Sequence, residues 1–341
     1  MNRPVPLTGI LLLAAILFAC NRAPGPGVWL KLGGSTQGTY YSITYFTADS
    51  TNYQEDLEKL LGDFDQSLST YIDTSLISRF NQSEEGIVPD HYLETCFNCA
   101  REVTEATGGA FDITVAPLVN AWGFGFTKAA EVDSALIDSL LKFVGMDKVR
   151  ISDGKIRKDM PGVMLDVNAI AQGYAVDVLC GFLEDRGILN YLVDIGGELR
   201  TRGHNPKGTP WNVGIDKPVE GLQIPGADLQ AIVAVSDRSL ATSGNYRKFY
   251  IKNGVKYAHT IDPKTGYPVQ HSLLSASVMA GDCMRSDAYA TAFMVMGLKR
   301  SQEFLRDHPE MDAYLIYNDE KGSYRVWYTR GMKKLILQGR N

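Results

Sequence analysis

Residues 164–177 read MLDVNAIAQGYAVD, and this stretch decides how the middle of the chain must fold. An apolar run that ends at Asp166 has the composition of a strand, and a helical pattern begins near residue 169 without an intervening loop. Such a junction brings unpaired backbone N–H groups and the positive end of a helix dipole to one place, which suits phosphate. The alternative is that Asp166 or Asn168 simply caps the helix. The residues alone leave both interpretations open.

Strand and helix patterns follow one another irregularly on either side of this junction. Apolar alternation predicts strands or hairpins at residues 36–46, 148–166, 191–202, 211–216, 229–236, 247–261 and 274–280. Apolar residues at helical spacing predict helices at about 52–68, 75–81, 90–107, 131–143, 169–186 and 286–297. Because no strict strand–helix–strand rhythm appears, we expect an α+β (mixed α/β) fold with mixed sheets, in which two lobes form one catalytic unit.

Composition limits the classes of function. The chain has 341 residues, 45% of them hydrophobic, and a formal net charge of −5. This length provides a core large enough to fold without disulfides. A chain with net negative charge and no basic block lacks the positive surface that binds nucleic acid, so no nucleic-acid partner is expected.

The N-terminus has the features of an export signal. Arg3 precedes an apolar run over residues 7–19, which is short for a membrane-spanning helix. The run ends Leu-Phe-Ala-Cys at Cys20, which resembles the lipobox of bacterial lipoproteins. The alternative is an ordinary secretory signal in which Cys20 is incidental. Either reading predicts export.

The N-terminus therefore sets the expected domain organisation. We expect a lipoprotein signal peptide at residues 1–19, a lipid anchor on Cys20 with a Pro/Gly-rich tether at 20–32, and a catalytic domain at 33–341. The expected location is the bacterial cell envelope, with the protein lipid-anchored to a membrane and facing the periplasm or the exterior.

A pair of cysteines, Cys96 and Cys99, lies within the helical pattern at 90–107. A zinc site needs four ligands, and only His91 is nearby in sequence. We therefore expect buried free thiols at this pair.

A carboxylate and a hydroxyl are spaced for a shared helix face near the C-terminal end. Asp287 and Thr291 lie four residues apart in SDAYATAFMVMG, residues 286–297. Two hard oxygens on one face form part of a coordination shell for Mg²⁺, which usually adds phosphate and water. The alternative is that Ser286 or Asp287 caps the helix and Thr291 is a small core residue.

The segment HTIDPKTGYPV, residues 259–269, contains a tight turn at Asp-Pro-Lys-Thr-Gly. This turn fixes His259 and Ile261 immediately before it. A fixed imidazole is a candidate general base, and a solvent-facing hairpin histidine is the alternative.

The segment LATSGNYR, residues 240–247, reads as a polar loop lined by Thr242, Ser243 and Gly244. Its Arg247 is suited to meeting phosphate.

Eight motifs in this order resemble the FAD:protein FMN transferases, or ApbE-type flavin transferases, from about residue 33 to 330. They are QGTYYSITY, STYIDTSLISRFN, GGAFDITVAPLVNAWGFG, LDVNAIAQGYAVD, VDIGGELRTRG, ATSGNYRKF, HTIDPKTGYPV and SDAYATAFMVMG.

The resemblance implies specific roles. It implies Mg²⁺ ligands at Asp287, Thr291 and the backbone oxygen of Ala169, and it places catalysis at His259, as base, and at Asp287. The FAD contacts that it implies are Gln37, Tyr71, Ala110, Phe111, Asp112, Asp166, Gln172 and Ile261. It also implies a two-lobed fold with an FAD and Mg²⁺ cleft between the lobes.

The activity implied is Mg²⁺-dependent transfer of FMN from FAD to a Thr or Ser hydroxyl of an acceptor flavoprotein, with release of AMP. The implied acceptor is a flavoprotein subunit of a membrane redox complex. Two alternatives remain, an FAD pyrophosphatase and a non-catalytic flavin-binding lipoprotein. The Asp287–Thr291 pair counts against the second, because simple binding needs no metal at the pyrophosphate.

Overall fold

The structure is a computed structural model that describes residues 27–125, 132–219, 226–246, 249–252 and 255–339. The expected signal peptide, Cys20 and Arg247 lie outside the described residues. Within the part of the chain that the structure describes, no helix combines the length and apolar character needed to cross a bilayer.

The described residues form sixteen strands and eight α-helices. The strands are β1 (Val28–Thr36), β2 (Thr39–Thr47), β3 (Gly86–Ile87), β4 (Val149–Ser152), β5 (Lys155–Lys158), β6 (Tyr191–Ile195), β7 (Glu198–Arg202), β8 (Trp211–Asp216), β9 (Leu229–Val235), β10 (Ser239–Gly244), β11 (Phe249–Lys252), β12 (Val255–Ala258), β13 (Leu273–Met279), β14 (Asp312–Asn318), β15 (Tyr324–Tyr328) and β16 (Ile336–Gly339). The helices are α1 (Gln54–Leu68), α2 (Leu76–Gln82), α3 (His91–Ala106), α4 (Ala116–Ala121), α5 (Ser134–Leu141), α6 (Ala171–Glu184), α7 (Cys283–Asp307) and α8 (Arg330–Leu335).

An eight-stranded sheet in the order β1-β2-β6-β7-β10-β13-β14-β15 organises the fold. Three smaller sheets, β16-β9-β8, β3-β5-β4 and β11-β12, accompany it. The α+β class is confirmed, but among the described residues every strand pairing is antiparallel, so the sheets are not the mixed ones expected. Hairpin neighbours such as β6 and β7 pair through short turns, which antiparallel geometry permits.

The largest apolar core lies between β2, β6 and the helices α1, α2, α3 and α6. Helix α1 turns Leu57, Leu61, Phe64 and Leu68 inward at helical spacing, as the sequence pattern predicts. Burying one such side chain contributes about 1.5–3 kcal/mol before chain entropy is counted. A second cluster joins α7 to β13 and β14, so that α7 lies against the large sheet.

Two strands differ from the sequence prediction. Strand β1 begins at Val28 and pairs with β2 along its whole length, so the folded part starts before the boundary expected at residue 33. The polar loop expected at residues 240–247 is wrong over residues 240–244, which belong to β10 (Ser239–Gly244) between β7 and β13. The Thr, Ser and Gly residues of this strand do not give a strand pattern, because a strand that is paired on both edges does not need alternating apolar residues.

The run that ends at Asp166 is also not a strand. The Asn81 side chain holds its backbone instead, accepting the N–H of Leu165 at 2.7 Å and donating to the Leu165 carbonyl at 2.9 Å. The buried Lys158 amine donates to the carbonyls of Phe80 and Val163, both at 3.0 Å. Side chains therefore take the place of a neighbouring strand and fix the entry to α6.

Helix α7 is broken at Gly297, whose backbone lies at φ 73°. The His271 ring nitrogen is 2.7 Å from the carbonyl oxygen of Met294, and Ser301 donates to the carbonyl of Gly297 at 2.8 Å. Met294 belongs to the last turn before the break, where carbonyls lose their helical partners, so the His271 ring takes the place of one missing N–H group. The break explains why the pattern predicts a helix end at residue 297.

Candidate functional site

The start of α6 is capped by a carboxylate from another helix. Ile170 occupies the N-cap position, and its aliphatic side chain cannot accept an N–H group. The N–H of Gly173 donates instead to Oδ2 of Asp287 in α7, at 3.0 Å. The interpretation that Asp166 or Asn168 caps this helix is therefore wrong.

Asp166 has a different local role. Its Oδ1 accepts the backbone N–H of Asn168 at 2.9 Å, which forms an Asx turn into the helix. Its own N–H donates to the carbonyl of Ile113 at 2.7 Å. This bond places the segment that contains Ala110, Phe111 and Asp112 beside the junction.

Helix α7 begins earlier than the sequence pattern predicts. Asp282 is its N-cap residue and accepts the N–H of Arg285 at 2.7 Å. Asp287 consequently lies in the second turn, and the alternative in which Ser286 or Asp287 caps the helix is wrong. The carboxylate of Asp287 therefore does not cap its own helix.

Asp287 is a buried acid, with 6% of the residue exposed. Burial raises the pKa of its carboxyl to about 7, and the hydrogen bond from Gly173 only partly opposes that rise. A buried carboxylate is costly unless it meets donors or a cation. The environment of Asp287 therefore favours either a proton or a positive ligand.

Two more oxygens are available next to this acid. Thr291 lies one turn beyond Asp287, and its hydroxyl is 3.0 Å from the hydroxyl of Ser243 in β10. In a regular helix the N–H of Gly173 would donate to the carbonyl of Ala169, but here it turns to Asp287.

Carboxylate, hydroxyl and carbonyl oxygens are the hard donors that Mg²⁺ prefers, so this set fits that ion. Among the described residues, no group of three or more His, Cys, Asp or Glu side chains could hold a metal. An ion at Asp287 therefore needs phosphate and water to complete its shell. The described cysteines, including Cys96 and Cys99, are buried free thiols, as the sequence predicts.

His259 follows β12 and is half-buried, with its ring edge-on to Phe124 at a centroid distance of 6.4 Å. The neighbouring Thr260 donates its hydroxyl to Asn245 at 2.6 Å. Asn245 comes two residues after Ser243, which contacts Thr291. The hairpin that carries His259 is thus joined to the same end of β10 as the Asp287–Thr291 pair.

Three of the predicted FAD contacts, Gln37, Tyr71 and Gln172, line one small depression of about 80 Å³. Gln37 donates to Asp65 at 3.2 Å from the β1–β2 turn. Tyr71 is 71% exposed, and the pKa of its hydroxyl is raised by partial desolvation and then by the charge of Asp166. Asn168 also lines the depression and donates its N–H to Asp166, which places Asp166 beside it.

The other predicted contacts lie elsewhere. Asp112 lines a larger cavity of about 680 Å³ together with Pro263 and Lys264 of the tight turn. Its Oδ1 accepts from Thr114 at 2.5 and 2.8 Å, so the carboxylate also has a structural role.

Ala110, Phe111 and Ile261 have buried side chains. A ligand could reach them mainly through their backbone atoms. Of the predicted contacts, Gln37, Tyr71 and Gln172 thus line the small depression and Asp112 lines the larger cavity, while Ala110, Phe111 and Ile261 line neither.

Sequence reasoning missed two polar residues that support the site. No sequence pattern indicates a role for Asp177 or Asp65, although Asp177 lies within residues 164–177. Both act through partners that are distant in sequence, the N-terminus of α7 for Asp177 and the β1–β2 turn for Asp65.

Comparison with known proteins gives a consistent result. The model of the ApbE family matches residues 37–315. The FAD:protein FMN transferase of Vibrio cholerae is 38% identical and the alignment covers 88% of this chain and 89% of that protein. The FAD:protein FMN transferase of Escherichia coli strain K12 is 32% identical over 99% of each.

Solved structures agree with the sequence relatives. The flavin transferase ApbE from Vibrio cholerae superposes with a TM-score of 0.81 at 34% identity, covering 91% of this chain and 100% of that one. An ApbE protein from Thermotoga maritima gives a TM-score of 0.79 at 26% identity, with coverage of 91% and 100%.

The raised pKa of Asp287 predicts how stability depends on pH in the metal-free protein. Because the folded-state pKa of about 7 exceeds the ordinary value of 3.8, stability is full below about pH 4 and is lost as pH rises through 7. The Asp287→Asn variant cannot ionise and should avoid this loss, which is at most about 4 kcal/mol. Urea unfolding in EDTA across this pH range measures the difference.

Asp307→Asn, which alters an exposed carboxylate of the same helix, is the matched control and should follow the unchanged protein. Parallel stability curves for Asp287→Asn and the unchanged protein would contradict the burial of a titrating carboxylate at this position.

Proposed function

The chain belongs to the ApbE family, and we propose that it is a Mg²⁺-dependent enzyme that joins FMN to a Thr or Ser hydroxyl of an acceptor flavoprotein and releases AMP. Transfer of FMN from FAD to protein is the activity named for its relatives in Vibrio cholerae and Escherichia coli. The chain is thus a transferase with FAD as substrate. One observation carries the metal-dependent part of the proposal, the buried Asp287 carboxylate beside the Thr291 hydroxyl and the α6 N-terminus.

Asp287, Thr291 and the carbonyl of Ala169 would hold Mg²⁺. The chemistry supplied by the bound ion is neutralisation of the charge that builds up on the pyrophosphate as AMP departs. Bound Mg²⁺ would be the positive partner that stabilises the buried Asp287 carboxylate in its charged form. The N-terminal amides of α6 add a favourable field for the phosphates.

His259 is proposed as the base. The acceptor hydroxyl oxygen forms a bond to the FMN-side phosphorus, and the bond from that phosphorus to the bridging oxygen breaks. AMP leaves with the bridging oxygen, and the proton of the hydroxyl passes to His259. Positioning by the protein contributes most in reactions of this kind, because little covalent chemistry falls to the side chains.

FAD would contact the protein at two places, one on either side of its phosphates. The small depression and the Asx turn would contact one end, and the segment at the larger cavity would contact the other, chiefly through its backbone. The proposed contacts are Gln37, Tyr71, Asp166, Gln172, Ala110, Phe111, Asp112 and Ile261.

A lipid on Cys20 would place the enzyme at a membrane of the cell envelope, facing the periplasm or the exterior. The support is the apolar run that ends in Leu-Phe-Ala-Cys, followed by a Pro/Gly-rich stretch. At that surface the enzyme would meet its acceptor, a flavoprotein subunit of a membrane redox complex.

Incubation of residues 21–341 with FAD, Mg²⁺ and an acceptor domain bearing a reactive Thr should release AMP. The acceptor should gain the mass of FMN and show flavin fluorescence on a denaturing gel, because detergent does not break a phosphoester. Mass spectrometry and AMP release together measure the transfer.

Asp287→Asn is the matched variant in this assay. It keeps the shape but loses the charge, so it should lose orders of magnitude in rate and recover partly at high Mg²⁺. AMP and free FMN without labelled acceptor would support the pyrophosphatase instead. FAD returned unchanged would support the non-catalytic flavin-binding lipoprotein.

His259→Asn should lower the transfer rate by about 10²- to 10⁴-fold, because it removes the proton acceptor. The unchanged protein should lose activity as the imidazole protonates at acidic pH, and the variant should lack that step. His204→Asn, at an exposed loop histidine, should keep both rate and pH profile. A His259→Asn variant with an unaltered profile would assign the proton to another group.

Cys20→Ser in the full chain should abolish lipid attachment, because the thiol is the proposed acceptor of the lipid. Membrane fractionation and the intact mass of the mature protein measure the change. Unchanged processing and membrane retention of the variant would remove the anchor proposal and leave the enzymatic proposal intact.

A further inference from the structure

Helices α6 and α7 each supply a carboxylate that accepts backbone N–H groups near the N-terminus of the other helix. Asp177 of α6 accepts the N–H of Cys283 at 3.1 Å and the N–H of Met284 at 2.8 Å. These are the first two residues of α7. In return, Asp287 of α7 accepts the N–H of Gly173, near the start of α6. We call this pair of interactions the reciprocal clamp.

The physical strength of the reciprocal clamp comes from the helix ends. The first N–H groups of a helix have no partner within it and carry partial positive charge. A carboxylate that accepts two of them forms charge-assisted bonds and also fixes the direction of the helix. Asp177 uses both of its oxygens in this way, one for each amide.

Close packing makes the reciprocal clamp rigid. A Cβ atom placed on Gly173 would lie 2.8 Å from Cβ of Asp287 and would clash with the carbonyl oxygen of Cys283. Because glycine stands there, the two helices approach closely enough for the Asp287 carboxylate to reach the backbone of α6.

The reciprocal clamp is also tied to the large sheet. Arg200 of β7 lies 3.1 Å from Asp177, and its second nitrogen lies 3.3 Å from Glu184 at the end of α6. The carboxylate of Asp177 is largely buried, so this pairing is little screened by solvent. The N-terminus of α7 is therefore fixed relative to both α6 and β7.

We propose that Asp177 is a positioning residue, which fixes the first turn of α7 and so places the Asp287 carboxylate for the metal. Asp177 contacts the turn that directly precedes Asp287. Groups that orient a metal ligand without touching the metal typically change its affinity 10- to 100-fold when lost. The inference rests on the proposed function of Asp287 as a Mg²⁺ ligand.

The test is Asp177→Asn in the full enzyme. Asparagine offers one accepting oxygen for two N–H groups and loses the charge that Arg200 faces. The half-saturating Mg²⁺ concentration for FMN transfer should rise about 10- to 100-fold, while kcat at saturating Mg²⁺ stays near that of the unchanged protein. Glu102→Gln, which removes an exposed partner of Arg285 at the same helix end, should leave the Mg²⁺ requirement unaltered.

Amide hydrogen exchange in the absence of metal and FAD gives a readout independent of activity. Asp177→Asn should accelerate exchange at Gly173 and in the first turn of α7, while amides of β2 and α3 keep their rates. A uniform acceleration throughout the protein would show a merely stabilising role and would overturn the positioning role.

The outcomes separate the two proposals. If the unchanged protein depends on Mg²⁺ and Asp177→Asn has the same Mg²⁺ requirement, only the role of Asp177 is overturned. An unchanged protein that needs no Mg²⁺ overturns the proposed metal site, and the inference falls with it. If Asp177→Asn does not fold, the milder Arg200→Lys decides, since a raised Mg²⁺ requirement supports the inference and an unaltered one overturns it.

Discussion

The hydrogen bond from the Gly173 amide to the Asp287 carboxylate is the interaction on which the site depends. This bond joins the N-terminal parts of α6 and α7 and holds the Asp287 carboxylate in a buried position. It also directs the Gly173 N–H away from the Ala169 carbonyl. Burial then raises the pKa of that acid to about 7, so the position favours a proton or a cation. Thr291, whose hydroxyl contacts that of Ser243, lies one turn away with an oxygen of the kind that a hard metal ion binds, and phosphate and water would complete the shell.

The sequence predicts the parts of this site that depend on local spacing. Asp287 and Thr291 are recognisable four residues apart, and the tight turn after His259 follows from its Asp, Pro and Gly. The sequence leaves the capping alternatives at Asp166 and Asp287 open. They fail because α7 begins at Cys283 and because a residue 114 positions away caps α6, which no local pattern contains.

The errors in the fold have the same origin. The apolar run before Asp166 resembles a strand, yet Lys158, five residues before Val163, and the distant Asn81, 84 residues before Leu165, satisfy its backbone. Residues 240–247 resemble a loop because Thr, Ser and Gly are turn formers, yet residues 240–244 lie in β10, which pairs with two neighbouring strands. In each case long-range partners outweigh local propensity.

The most direct test of the account is the position of the metal in the enzyme with FAD bound. Crystals grown with FAD and Mn²⁺, which has an anomalous signal that Mg²⁺ lacks, would locate it. One anomalous peak is expected within coordination distance of the Asp287 carboxylate, the Thr291 hydroxyl and the Ala169 carbonyl, next to the pyrophosphate. A bound FAD with the peak at other residues, or with no peak, would contradict it.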